Sequence, residues 1–228
     1  MHLLALLILC SVFGVSQSTI DTRLNSGTDA ERATLLSGMG VSTEIVDAYK
    51  SDSQRPQLTW LTLQSATRPN SALLFLPCRL DSAYLYLMKQ TDSGWRVVDR
   101  SEFDCHYDGS VSISTVPGRQ LIFVHRAGEG HGTGFMQQNF KVIDVADGKL
   151  RVVLNAEEVK IASRTPLGSY DLNQNSTFVL LPASSSDVIE ETRSVNLNGR
   201  LKVERRYFRW SERDKQFLAA KFSAVVVR

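Results

Sequence analysis

The chain has 228 residues, 43% hydrophobic and 22% charged, with 26 Lys and Arg against 24 Asp and Glu. That composition fits an ordinary globular protein and argues against disordered, collagen-like or coiled-coil chains. The near-even charge offers no basic face for nucleic acid, and beyond the N-terminus no stretch is apolar enough to cross a membrane as a helix.

The N-terminus predicts export. Leu3 to Val15 form an apolar run of 13 residues, and Ser16 and Ser18 suit the two small pockets of a signal peptidase. Residues 1–18 are therefore assigned to a signal peptide, with the mature chain starting near Gln17 or Thr19 in a periplasmic or extracellular setting. Leu9 stands where a lipoprotein needs a small residue before Cys10, so lipidation is not expected. Removing the leader leaves Cys78 and Cys105, an even pair in an exported chain. Both lie at nearly equal distance from "TDSG" (Thr91 to Gly94), a hairpin turn signal, so the hairpin predicts that they are joined.

Residues 19–57 read as a short two-helix arm. Thr28 and Glu31 have capping-box spacing, and the first helix closes on Gly38 and Gly40. A second runs over Ser42 to Lys50, with Ile45, Val46 and Tyr49 on one side, before Pro56 ends helical structure.

From Leu58 the apolar period becomes two. Strands are predicted at 58–64, 71–76, 83–90, 95–99, 111–115, 120–126, 136–145 and 149–155, then at 176–182, 188–197, 201–210 and 216–222. "DSG", "DGS", "ADGK" and "LNGR" punctuate them, placing Asp, Asn and Gly where positive φ is tolerated. The short gaps leave no room for crossover helices, so neighbours pair antiparallel. A faint repeat relates residues 87–99, 140–154 and 193–210, each preceded by a further strand. The fold class is all-β: residues 58–228 form an antiparallel meander (a twisted sheet, a barrel or a partial-propeller-like array) behind the arm.

"GEGHGTGF" (Gly128 to Phe135) is the first candidate for chemistry. It lacks both the P-loop pattern and a following helix, so it cradles no nucleotide. Residues 127–134 are expected to form an exposed loop, with Glu129, His131 and His125 as candidate ligand contacts. His125 shares a strand face with Leu121 and Phe123, which suits a core histidine. Asp104 and His106 flank Cys105 and face away from it, an arrangement able to orient an imidazole, yet no G-x-S-x-G elbow supplies a nucleophile. Glu157–Glu158 and Glu190–Glu191 are expected on opposite strand faces and solvated. "RRYFRW" (Arg205 to Trp210) reads as an aromatic-rich strand with snorkelling arginines.

Together these features favour an exported, non-enzymatic β-rich module that binds a protein, a glycan or a small molecule and uses no cofactor or metal. The alternative is a hydrolase or metal-dependent enzyme centred on His125, His131, Asp104 and His106.

Overall fold

The computed structural model describes residues 17–50, 57–63, 70–79, 81–105, 111–115, 121–132, 134–163, 171–181, 187–220 and 224–226. Among the described residues the arm has three helices where the sequence predicts two: α1 (Gln17–Asn25), α2 (Asp29–Met39) and α3 (Thr43–Lys50). The extra helix, α1, begins inside the segment assigned to the leader. The capping box of α2 is complete, since Thr28 Oγ1 accepts from Glu31 N and the Glu31 carboxylate accepts from Thr28 N. Gly40 ends α2 at φ 92°, with its N–H on the last-turn carbonyls.

Thirteen strands follow among the described residues. They are β1 (Thr59–Leu63), β2 (Ser71–Arg79), β3 (Ser82–Thr91), β4 (Gly94–Asp104), β5 (Ser112–Thr115), β6 (Leu121–Gly132), β7 (Phe135–Ala146) and β8 (Lys149–Ala162). The second half adds β9 (Leu172–Leu181), β10 (Val188–Leu197), β11 (Arg200–Ser211), β12 (Gln216–Ala219) and β13 (Ala224–Val226). All pairings are antiparallel within one open sheet, ordered β1-β2-β3-β4-β6-β7-β8-β9-β10-β11-β12, with β5 beside β6 and β13 beside β11. Each of the twelve predicted strands has its counterpart. The turn chemistry explains the register: Asp147 and Gly148 take φ 53° and 71°, Asn198 and Gly199 take φ 52° and 78°. Two consecutive positive φ values define the hairpin turn that matches strand twist.

The repeat corresponds to three hairpin-centred units, β2–β4, β6–β8 and β9–β11, whose residues share three core clusters. One core lies between the arm and the first unit, where Ile20, Leu24, Leu36, Ile45, Val46 and Tyr49 meet Trp60, Leu74, Leu76, Tyr86 and Met88. The opposite face of that unit (Leu73, Phe75, Leu85, Phe103) packs on Ile122, Val124, Ile143 and Val145 of the second. The far face of the second unit carries Phe123, Phe140, Val142 and Leu154 against Phe178, Ile189 and Phe217. Alternation along each strand thus feeds two cores at once, which is why the apolar period is two yet both strand faces of the central unit are buried. Helices of 8–11 residues are marginal alone; each buried Leu or Ile contributes roughly 1.5–3 kcal/mol, so the arm is held by the sheet it covers.

The predicted disulfide is present. Cys78 and Cys105 are bonded with Cα atoms 5.9 Å apart, at the end of the β3–β4 hairpin remote from its Thr91–Gly94 turn.

Candidate functional site

The glycine-rich segment is not a loop. β6 runs on through Gly132, Gly132 pairs with Phe135, and only residues 133–134 lie between β6 and β7. The register slips twice along β6, between Val124 and Ala127 and between Gly128 and Gly130, so His125, Arg126 and Glu129 fall in bulges. Arg126 takes φ 57° in the first of these. Gly128 has a packing reason: a Cβ there would stand 2.8 Å from Asp104 O, where β4 meets β6 through the Asp104–Gly128 pair. These glycines permit close approach and bulging in a strand, which sequence reading mistook for loop freedom. His131 lies opposite Met136 in the hairpin. His106 lies outside the described residues.

His125 does sit on the Phe123 face, with its ring 5.1 Å from that of Phe140. Its Nδ1 is 2.8 Å from Glu158 Oε1, and the second oxygen of Glu158 accepts from Arg126 N. One carboxylate, its side chain 9% exposed, therefore clamps both residues of the first bulge. The expectation that Glu157–Glu158 are solvated on opposite faces is corrected here. A register shift of β8 against β7 between Gln138 and Asn139 inserts Glu158 as an extra residue, and both glutamates are engaged.

Glu157 belongs to a polar ladder on β8, β9 and β10. Lys160 Nζ is 2.8 Å from Glu157 Oε1, and Arg193 Nη1 is 3.8 Å from Oε2. The hydrogen bond from Lys160, joined by the charges of Lys160 and Arg193, holds the Glu157 carboxyl below its ordinary range against the opposing effect of burial. Arg193 Nε and Ser176 Oγ both donate to Glu191 Oε1, at 2.7 and 2.8 Å. Glu191 is 0% exposed, so the expectation that it is solvated fails as well. Two carboxylates meet two cations, and the ladder holds strands in register rather than presenting a charge. Among the described residues no group of three or more His, Cys, Asp or Glu side chains is arranged to hold a metal ion. Phe208 and Trp210 of "RRYFRW" pack against the third core, as their strand alternation implies.

Two clefts lie under the arm. The larger is a cleft of about 370 Å³ between α1, α2 and the turn that joins β3 to β4. Ile20, Leu35, Met39 and Trp95 give it apolar walls, and Arg23 of α1 and Arg96 of β4 line it too. Trp95 meets Trp60 edge to face, ring centres 5.1 Å apart, and this pair floors the arm. Both indole N–H groups are buried without a hydrogen-bond partner. A smaller cleft of about 200 Å³ lies between α3 and β2–β4, where Arg79 and Arg100 face Glu44 and Glu102. Beside it, burial pushes the Tyr86 phenol up to about 12, opposed by the Arg100 guanidinium. Burial likewise raises Tyr49, whose hydroxyl donates to Pro77 O.

Ligand pockets usually enclose about 300–1,000 Å³, so of these two clefts the larger has the volume of a small-molecule site. Sequence reading missed it because its walls come from residues 20–39 and 93–96, which only folding brings together. The one legible signal is Trp95, a large aromatic placed directly after a hairpin turn. No protein-family model matches this chain, and no curated protein matches it in sequence.

Proposed function

We propose that this chain is an exported, non-enzymatic binding module and that its ligand is a small molecule held in the cleft between α1, α2 and the β3–β4 turn. The cleft carries the reading: it has ligand-sized volume, apolar walls and two arginines among its lining residues. Its walls are firmly founded, since Ile20 and Met39 are buried in the arm core and Asn25 binds the backbone of Leu58 through both its amide oxygen and its amide nitrogen. Export is supported by the leader-like run at residues 3–15 and by the Cys78–Cys105 disulfide, a bond that persists in oxidising compartments. The three units supply a rigid, partial-propeller-like base. The enzymatic alternative would draw on His125, but that imidazole is engaged with Glu158 in fixing a bulge.

Gly38 provides the test. It lines the cleft, its backbone is helical, and a Cβ built on it meets nothing within 4 Å. Gly38→Phe therefore fills the cleft without straining the chain. The uncharged fluorophore phenylnaphthylamine, titrated into the mature chain with tryptophan excitation, is expected to bind one site in the wild type. Binding should vanish in Gly38→Phe while the melting temperature holds. Equal binding to both proteins would put the ligand elsewhere and overturn the proposal. N-terminal sequencing of secreted material should begin near Gln17 or Thr19; a chain still starting at Met1 would end the export argument.

A further inference from the structure

Resting on that reading, we propose that the cleft selects a free small amphiphile with one anionic head, a carboxylate, sulfonate or phosphate, on an apolar body. The two clefts under the arm differ in the charges that line them. In the smaller, two arginines are matched by Glu44 and Glu102. In the larger, Arg23 and Arg96 are lining residues, and among the described residues no carboxylate lines it with them. The carboxylate that feels the charge of Arg23 is Glu31, and it is already taken up by the capping box, accepting from Thr28 N at 2.7 Å and from Thr28 Oγ1 at 2.9 Å. The polar side chains of the walls are also committed: Thr34 Oγ1 donates to Ala30 O, and Ser93 Oγ pairs with Thr91 Oγ1.

Two guanidiniums thus line an apolar floor with no carboxylate beside them in the lining among the described residues. Guanidiniums bind planar and tetrahedral oxyanions through paired N–H donors. A ligand that places its head between Arg23 and Arg96 and its body on Trp95, Leu35 and Met39 satisfies both features. A neutral apolar ligand uses only the floor, and a dianion without a body uses only the arginines.

Anilinonaphthalene sulfonate and phenylnaphthylamine test this, because they share one apolar body and differ by the sulfonate. Each is titrated into wild type, Arg23→Gln/Arg96→Gln, Arg96→Glu and Gly38→Phe. Arg23, Arg96 and Gly38 are all exposed, so melting temperatures should match. The sulfonate is expected to bind the wild type at one site roughly tenfold more tightly than the neutral dye, as two partly exposed ion pairs allow. That advantage should shrink with added salt, vanish in the double variant and reverse in Arg96→Glu, with neutral-dye binding unchanged. Equal affinities, with both dyes excluded by Gly38→Phe, would overturn the anion proposal and leave the cleft as the binding site. Binding of either dye that ignores Gly38→Phe would overturn the cleft itself.

Discussion

Replacing Arg32 tests how the wall of the cleft is held. Arg32 is 1% exposed; its Nε donates to Leu24 O at 2.6 Å and its Nη1 to Tyr49 O at 3.2 Å. These carbonyls belong to the last turns of α1 and α3, where acceptors have no intrahelical donor and the helix dipole favours a cation. A single side chain on α2 therefore joins all three helices. Arg32→Met keeps the apolar stem but strips both carbonyls of a donor, at about 1–3 kcal/mol each. Relief from desolvating a buried guanidinium returns part of that loss. A net destabilisation of about 2–4 kcal/mol is expected, a large share of the ~5–15 kcal/mol typical of a domain. Urea unfolding followed by tryptophan fluorescence is the assay, since Trp60 and Trp95 lie beneath the arm. If the arm loosens ahead of the sheet, the denaturant slope should fall together with the midpoint. A variant within about 0.5 kcal/mol of wild type would refute the reasoning, because surface substitutions behave that way and core staples do not.

Three further outcomes are expected. Mass spectrometry without reductant should find the mature chain two hydrogens lighter than its reduced form, and losing the bond, which spans 27 positions, should destabilise by about 3–4 kcal/mol; two alkylatable thiols in the native protein would contradict this. Gly128→Ala should destabilise by about 1–3 kcal/mol, since its Cβ meets backbone at 2.8 Å, whereas Gly38→Ala should be neutral or stabilising by up to ~1 kcal/mol; similar melting temperatures for the two variants would count against the β4–β6 junction. Glu157 is held below the ordinary carboxylate value of 4.5, so it adds stability above that value which is lost as pH falls through its folded one. Glu157→Gln should therefore flatten the acid limb of the stability profile, and an unchanged limb below pH 4.5 would show that the ladder contributes nothing there.

Much of the fold was legible because local chemistry and tertiary context agree. Period-two alternation located the strands, Asp-Gly and Asn-Gly set the hairpins, and Thr28 with Glu31 started α2. Cys78 and Cys105 could be paired from their spacing about the Thr91–Gly94 turn, although Cys78 lies on β2, which the Arg79–Ser82 pair brings beside β3. Where the reading failed, a local signal served a different purpose. Ile20 and Leu24, spaced i and i+4, announce α1, but the leader-like pattern before them masked the helical signal. The glycines at 128–134 looked like loop residues, yet Gly128 is needed for the backbone of Asp104 to approach. Glu157 and Glu158 looked solvated because strict alternation ignores bulges, and one inserted residue turned both toward partners. The cleft was invisible for another reason: nothing local links Arg23 to Arg96, and only the packing of the arm on β3–β4 makes them line one cleft.

The three tryptophans offer the most direct test of that cleft. Trp60 and Trp95 lie at the arm–sheet interface, whereas Trp210 is in the third unit, its Nε1 donating to Glu212 and its ring against Phe217. In a nitrogen-labelled mature chain the indole N–H signals form a separate, assignable set. On titration with anilinonaphthalene sulfonate, the Trp95 signal should shift saturably, Trp60 should follow more weakly, and Trp210 should stay fixed. A shift of Trp210 with Trp95 unmoved would contradict the assignment of the binding site.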